Sequence, residues 1–104
     1  VHLSHTKLRR AFLKYNELYF DNKLPLDTDV LFRPLDGKHA CCDFTDRENH
    51  IIEVDTMRAI CRTLWKQALL HEMAHISSGD CTHGRRWQAE IDRLYTVGAF
   101  KGLL

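Results

Sequence analysis

The string His71-Glu72-Met73-Ala74-His75 sets two imidazoles four residues apart with a carboxylate next to the first. On an α-helix, residues four apart are separated by about 40° around the axis, so both rings project from one face and can bind one metal ion. Glu72 falls to the side of that face. There it can take a proton from a water that the metal activates, without being a ligand, as the general base of a zinc peptidase does. The residues before the string, Thr63-Leu64-Trp65-Lys66-Gln67-Ala68-Leu69-Leu70, are largely apolar, which places it on a buried helix rather than a solvated one. A buried carboxylate without a partner would cost several kcal/mol, and a metal site gives all three side chains a role together.

Catalytic zinc usually takes three protein ligands and a water, so two histidines leave the set incomplete. His83 is the foremost candidate for the third, because a tight turn after Gly79 can fold it back. Asp80 and Cys81 in that turn, and Glu90 or Asp92 on the following helix, are the rivals. Arg85, Arg86, His50 and Tyr95 are conceivable second donors to a developing oxyanion, and Asp92 could orient a ligand imidazole through its other nitrogen.

The elements that must position these groups follow from periodicity. Leu8, Ala11, Phe12, Tyr15, Leu18 and Tyr19 recur at helical steps, predicting a helix over 4–20 capped by Ser4 or Thr6. Short apolar runs at 30–33, 38–45 and 50–54 read as strands, with Asp36-Gly37 as a turn and 45–49 as a hairpin loop. Helical spacing resumes at 56–77, stops at Ser78-Gly79-Asp80, and returns with Trp87, Ile91, Leu94 and Tyr95. The expected architecture is α+β: an N-terminal helix, a small, mostly antiparallel three-stranded sheet, the central helix carrying the motif, and a C-terminal helix. The edges of the 38–45 and 50–54 strands are the expected place for an extended peptide.

With 104 residues there is room for one core, so one domain spanning 1–104 is expected; a first residue of Val rather than Met is compatible with a trimmed piece of a longer protein. A formal charge of +1, from 15 Lys and Arg against 14 Asp and Glu, gives no overall field toward nucleic acid or anionic membrane. Basic patches could still form from Arg9, Arg10, Lys14, Arg85 and Arg86. No segment approaches the ~20 apolar residues of a membrane helix and no signal-peptide pattern opens the chain, so an intracellular, cytoplasmic or nuclear, location is expected. Four cysteines occur at 41, 42, 61 and 81 without a C-x-x-C pair, which argues against a zinc ribbon in these residues.

The motif followed by His83-Gly84-Arg85-Arg86-Trp87 resembles the SprT-like metallopeptidases, whose pattern is H-E-x-x-H with a later H-G-x-x-[FW]. Upstream, Tyr15-Asn16-Glu17-Leu18-Tyr19-Phe20-Asp21-Asn22-Lys23-Leu24-Pro25 is similar to that family's helix-to-strand segment ending in K-L-P, and the resemblance runs from about Leu8 to Tyr95. It implies a minimal zincin-like fold with one catalytic zinc ion, His71, His75 and His83 as its ligands, and Glu72 as the catalytic acid/base. The implied activity is zinc-dependent endopeptidase cleavage of a polypeptide substrate. Its Spartan branch degrades proteins crosslinked to DNA, which adds DNA or DNA-bound protein as a partner through resemblance only. The competing readings are a DNA-associated protease module and a non-catalytic protein in which zinc is structural.

Overall fold

A computed structural model describes residues 5–43 and 50–103, with residues 41–43 described in their backbone alone. The first helix, α1, spans Thr6–Tyr19 and buries Leu8, Phe12 and Asn16, one residue per turn along one face. Its cap is His5 rather than Thr6, and Ser4 lies outside the described residues. The His5 ring accepts from Lys7 N, while its own backbone N–H donates to Val30 O at 2.8 Å, fastening the helix start to the sheet.

At the other end the chain reverses through Asp21 and Asn22, both in the left-handed region with φ of 52° and 58°. Fully buried Asn16 fixes this reversal. Its side-chain amide donates to Leu24 O and its oxygen accepts from Leu24 N, each at 3.1 Å, so one side chain satisfies both polar groups of a buried backbone unit. Arg9 reaches across the same connection and donates to Thr28 O and Leu26 O.

The sheet holds β1 (Asp29–Arg33), β2 (Ala40–Asp43) and β3 (Ile51–Asp55) in the order β1-β3-β2. The β2–β3 pair is the expected antiparallel one, with Ala40 opposite Val54. The expectation of a mostly antiparallel sheet needs correction, because β3 also pairs with β1 in parallel, Val30 opposite Ile52 and Phe32 opposite Val54. β3 carries two fully buried β-branched residues, Ile52 and Val54, and takes the central place where burial is greatest. The chain therefore passes from β1 to the far edge, forms β2, and returns between them. A parallel pair needs a long crossover, and here β2 itself supplies it.

The helix expected over 56–77 is split. Thr56–Ile60 forms a 3-10 turn, Cys61 is extended, and α2 then runs over Arg62–Ser78. The split leaves Met57 69% and Ile60 84% exposed, although periodicity alone put Ile60 on the core face. It also swings Arg58 toward the ring of His39. Helix α2 is the spine of the molecule: Trp65, Leu69, Leu70, Met73 and Ala74 are buried within one apolar core with Leu8, Phe12, Val30, Ile52 and Val54. It ends at Gly79, whose φ of 67° is the left-handed cap conformation that glycine adopts without a Cβ clash.

Helix α3 covers Arg85–Thr96, packs Ile91 and Leu94 inward against α2, and is followed by a turn that buries Ala99 and Phe100. Among the described residues no helix is long and apolar enough to cross a membrane.

Candidate metal centre

His71 and His75 lie one turn apart on α2 with ring centroids 5.2 Å apart. The loop between α2 and α3 returns His83 to within 5.1 Å of each ring. One ring nitrogen from each of the three lies within 4.8 Å of the others, and among the described residues this is the His, Cys, Asp and Glu group that so converges. The closest pair is His71 Nε2 and His83 Nε2 at 3.1 Å. Two nitrogens at tetrahedral positions ~2.05 Å from one zinc ion would stand about 3.3 Å apart, so the donor set fits a metal of that size.

The protonation states also suit ligation. Burial, then the neighbouring His75 and His83, push the His71 pKa from 6.5 down to about 4, so this ring is neutral at pH 7 and keeps a lone pair. His75, 5% exposed, donates from Nδ1 to the main-chain oxygen of Asp80 at 2.7 Å, since a carbonyl can only accept. That bond fixes the tautomer and leaves Nε2 as the nitrogen available to a metal.

The loop that carries His83 is built from its own hydrogen bonds. Asp80 Oδ1 accepts from Thr82 N at 2.9 Å and from Thr82 Oγ at 2.6 Å, and Oδ2 accepts from Trp87 N at 3.4 Å. The hydroxyl and then the amide of Thr82 hold the Asp80 carboxyl below its usual range. Gly84 permits this packing, because a Cβ there would sit 3.0 Å from Asp80 Oδ2 and 3.1 Å from Thr82 Oγ1. Behind the rings lies Trp87, with centroid distances of 4.8 Å to His71, 5.5 Å to His75 and 4.6 Å to His83. Its indole N–H points to His71 O at 3.4 Å.

The rival third ligands are engaged elsewhere or stand apart. Glu90 accepts from Ser77 Oγ and pairs with Arg93, and Asp92 accepts from Gln88 at 2.9 Å, while the orienting bond on His75 goes to Asp80 O. Asp80 contributes its backbone oxygen to His75 while its carboxylate holds the loop. Cys81 is an exposed free thiol on the rim.

The three imidazoles and buried Glu72 line one part of an open cleft of about 660 Å³. Its remaining walls are Gly37, Lys38 and His39 from the segment before β2, Ala40 at its start, Arg58 from the 3-10 turn, and Leu64, Gln67 and Ala68 from α2. None of Arg85, Arg86, His50 or Tyr95 lines it; Tyr95 stacks on Phe100 with centroids 4.5 Å apart. Lys38 and His39 fall in the 38–45 segment expected to hold an extended peptide, whereas Arg58 and Gln67 are cleft residues that sequence reasoning missed. Nothing local marks them, because their elements meet only through the sheet order and the break before α2.

At the level of sequence, no family model and no curated protein matches the chain. Among solved structures, it is similar in fold to the metallopeptidase zymogen of Pyrococcus abyssi abylysin. The TM-score is 0.67, covering 92% of this chain and 87% of that one. At 17% sequence identity the likeness is one of fold alone.

Proposed function

We propose that the chain is a zinc-dependent endopeptidase of SprT-like type, with His71, His75 and His83 as metal ligands and Glu72 as general base. The observation that carries this reading is the convergence of three imidazoles beside a buried carboxylate at an open cleft. Bound zinc would supply Lewis acidity, lowering the pKa of a water and polarising a substrate carbonyl. The chain's own residues supply the rest. Glu72 takes a proton from the attacking water and returns it to the leaving nitrogen. β2 lies at the sheet edge facing α2, where an extended polypeptide could add main-chain hydrogen bonds and lie across the cleft.

The test is zinc content and hydrolysis of an unfolded protein measured together. The wild-type chain should bind one zinc and cleave; Glu72→Gln should keep the zinc and lose at least ~100-fold in kcat. Cleavage by Glu72→Gln at the wild-type rate would overturn the assignment of the base. Spectroscopy on the cobalt-substituted chain that found four protein ligands and no exchangeable water would instead favour a structural metal, with Cys81 of the cleft lining as a candidate fourth ligand.

A second reading, association with nucleic acid, is favoured by one specific feature. Lys7, Arg10 and Lys14 of α1 and Arg62 and Lys66 of α2 line a groove of about 510 Å³ in which, among the described residues, no acidic one takes part. This differs from the basic set expected from sequence, since Arg9 is turned to backbone oxygens and Arg85 and Arg86 lie on α3. Binding to a DNA oligomer that weakens steeply with salt would support a phosphate-binding role for the groove, and no binding at low salt would remove it.

A further inference from the structure

Away from the histidines, the cleft is cationic. Lys38, His39 and Arg58 line it, and among the described residues Glu72 is the one acidic residue in its lining. Ordinary surface cations are spread among acids. These converge from two separate elements, the segment before β2 and the 3-10 turn.

The guanidinium is also held. Arg58 Nη2 lies against both ring nitrogens of His39, and the His39 main-chain oxygen accepts from Asp55 N at 2.8 Å, which anchors that residue to the end of β3. An arginine has five N–H donors, so most of the fork remains for a ligand, and its geometry suits a carboxylate taken in two parallel bonds.

We propose that Arg58 and Lys38 form a subsite selecting an acidic side chain of the polypeptide substrate, about three residues from the bond that is cut. The proposal rests on the peptidase reading above. The spacing takes its scale from the length of the cleft wall, along which Leu64, Ala68, His71 and His75 of α2 lie. From Leu64 to His71 the helix rises ~10 Å, and an extended peptide covers that in about three residues at ~3.3 Å each. A carboxylate there gains charge-assisted hydrogen bonds, whereas a lysine meets like charge.

The experiment uses matched peptides that differ only by Glu, Ala or Lys at the third position on either side of the cleaved bond. The zinc-loaded protein should favour Glu over Ala by about 3- to 10-fold in kcat/KM on one side, with Lys the poorest. The preference should vanish in Arg58→Ala, weaken in Lys38→Ala and turn toward Lys in Arg58→Glu. Circular dichroism would check that each variant is folded. Equal kcat/KM for the three peptides, or a Glu preference that survives Arg58→Glu in folded protein, overturns the subsite.

Calorimetric binding of the same peptides to zinc-loaded Glu72→Gln separates the two ideas. If no peptide is cleaved by the wild-type protein, the peptidase reading fails; tighter Glu-peptide binding that requires Arg58 would still uphold the acidic subsite. Equal binding of all three peptides would overturn the subsite in that assay as well.

Discussion

His71 Nε2 and His83 Nε2 stand 3.1 Å apart although twelve residues separate them in the chain. Two imidazoles brought together by a loop can share one proton, or both lone pairs can serve one cation. The third ring, His75, has its tautomer set by the Asp80 carbonyl and completes a set suited to the second arrangement. His83→Ala should therefore lower zinc affinity by about 100-fold or more, beyond the ~10- to 100-fold typical of residues that only orient a ligand. Competition with a chromophoric chelator measures it; affinity within threefold of wild type would remove His83 from the ligand set.

Gly84 should be as sensitive as many ligand-orienting positions. An alanine methyl there meets Asp80 Oδ2 and Thr82 Oγ1 near 3 Å, so the carboxylate that ties Thr82 and Trp87 together must move. Gly84→Ala is expected to cost ~1–3 kcal/mol of stability, the usual range for overpacking, and to weaken zinc binding about tenfold. Urea unfolding and chelator competition on the same variant provide both readings. Unchanged values in both would mean the loop repacks freely.

Asn16 makes a prediction about the fold alone. Asn16→Ala strands the N–H and C=O of Leu24 in a buried turn, and each unsatisfied group costs ~1–3 kcal/mol, so a loss of about 2–4 kcal/mol is expected. The urea midpoint should drop accordingly, while protein that remains folded should still bind one zinc. A loss below about 0.5 kcal/mol would show that water replaces the amide.

Tyr15 gives stability a dependence on alkaline pH. Burial first, and then Tyr19, raise its pKa from 10.0 to about 12, while Arg62 opposes them. Above pH 10 the unfolded chain releases this proton and the folded chain retains it, so the folded state loses stability as pH rises from 10 toward 12. Below pH 10 both states are protonated and this contribution is flat. Urea midpoints across pH 9–12 should fall less steeply in Tyr15→Phe than in wild type; identical slopes would assign the alkaline loss to other groups.

Much of this site is readable from local pattern. The i, i+4 pair of His71 and His75, the glycine stop at Gly79 and the Leu8–Phe12 face of α1 depend on helical geometry and appear where the spacing predicts, although Leu18, expected on that face, is exposed. Other local expectations were displaced by tertiary packing. The helix expected from 56 breaks at Cys61, because the chain leaving β3 must turn before α2 can lie against the sheet. The parallel β1–β3 pair reverses a default that holds only when strands consecutive in sequence are neighbours in space.

By itself the sequence determined an α+β chain with a buried H-E-x-x-H helix, and it ranked His83 ahead of its rivals as a partner for that helix. Tertiary structure decided that His83 reaches the pair and that Glu90 and Asp92 are occupied elsewhere. It also decided that the Asp80 carbonyl, rather than a carboxylate, orients His75, and that Lys38 and Arg58 face the same cleft. The physical reason is range. Helical periodicity fixes neighbours within a turn or two, whereas the meeting of a loop, a strand edge and a 3-10 turn depends on how the whole core packs.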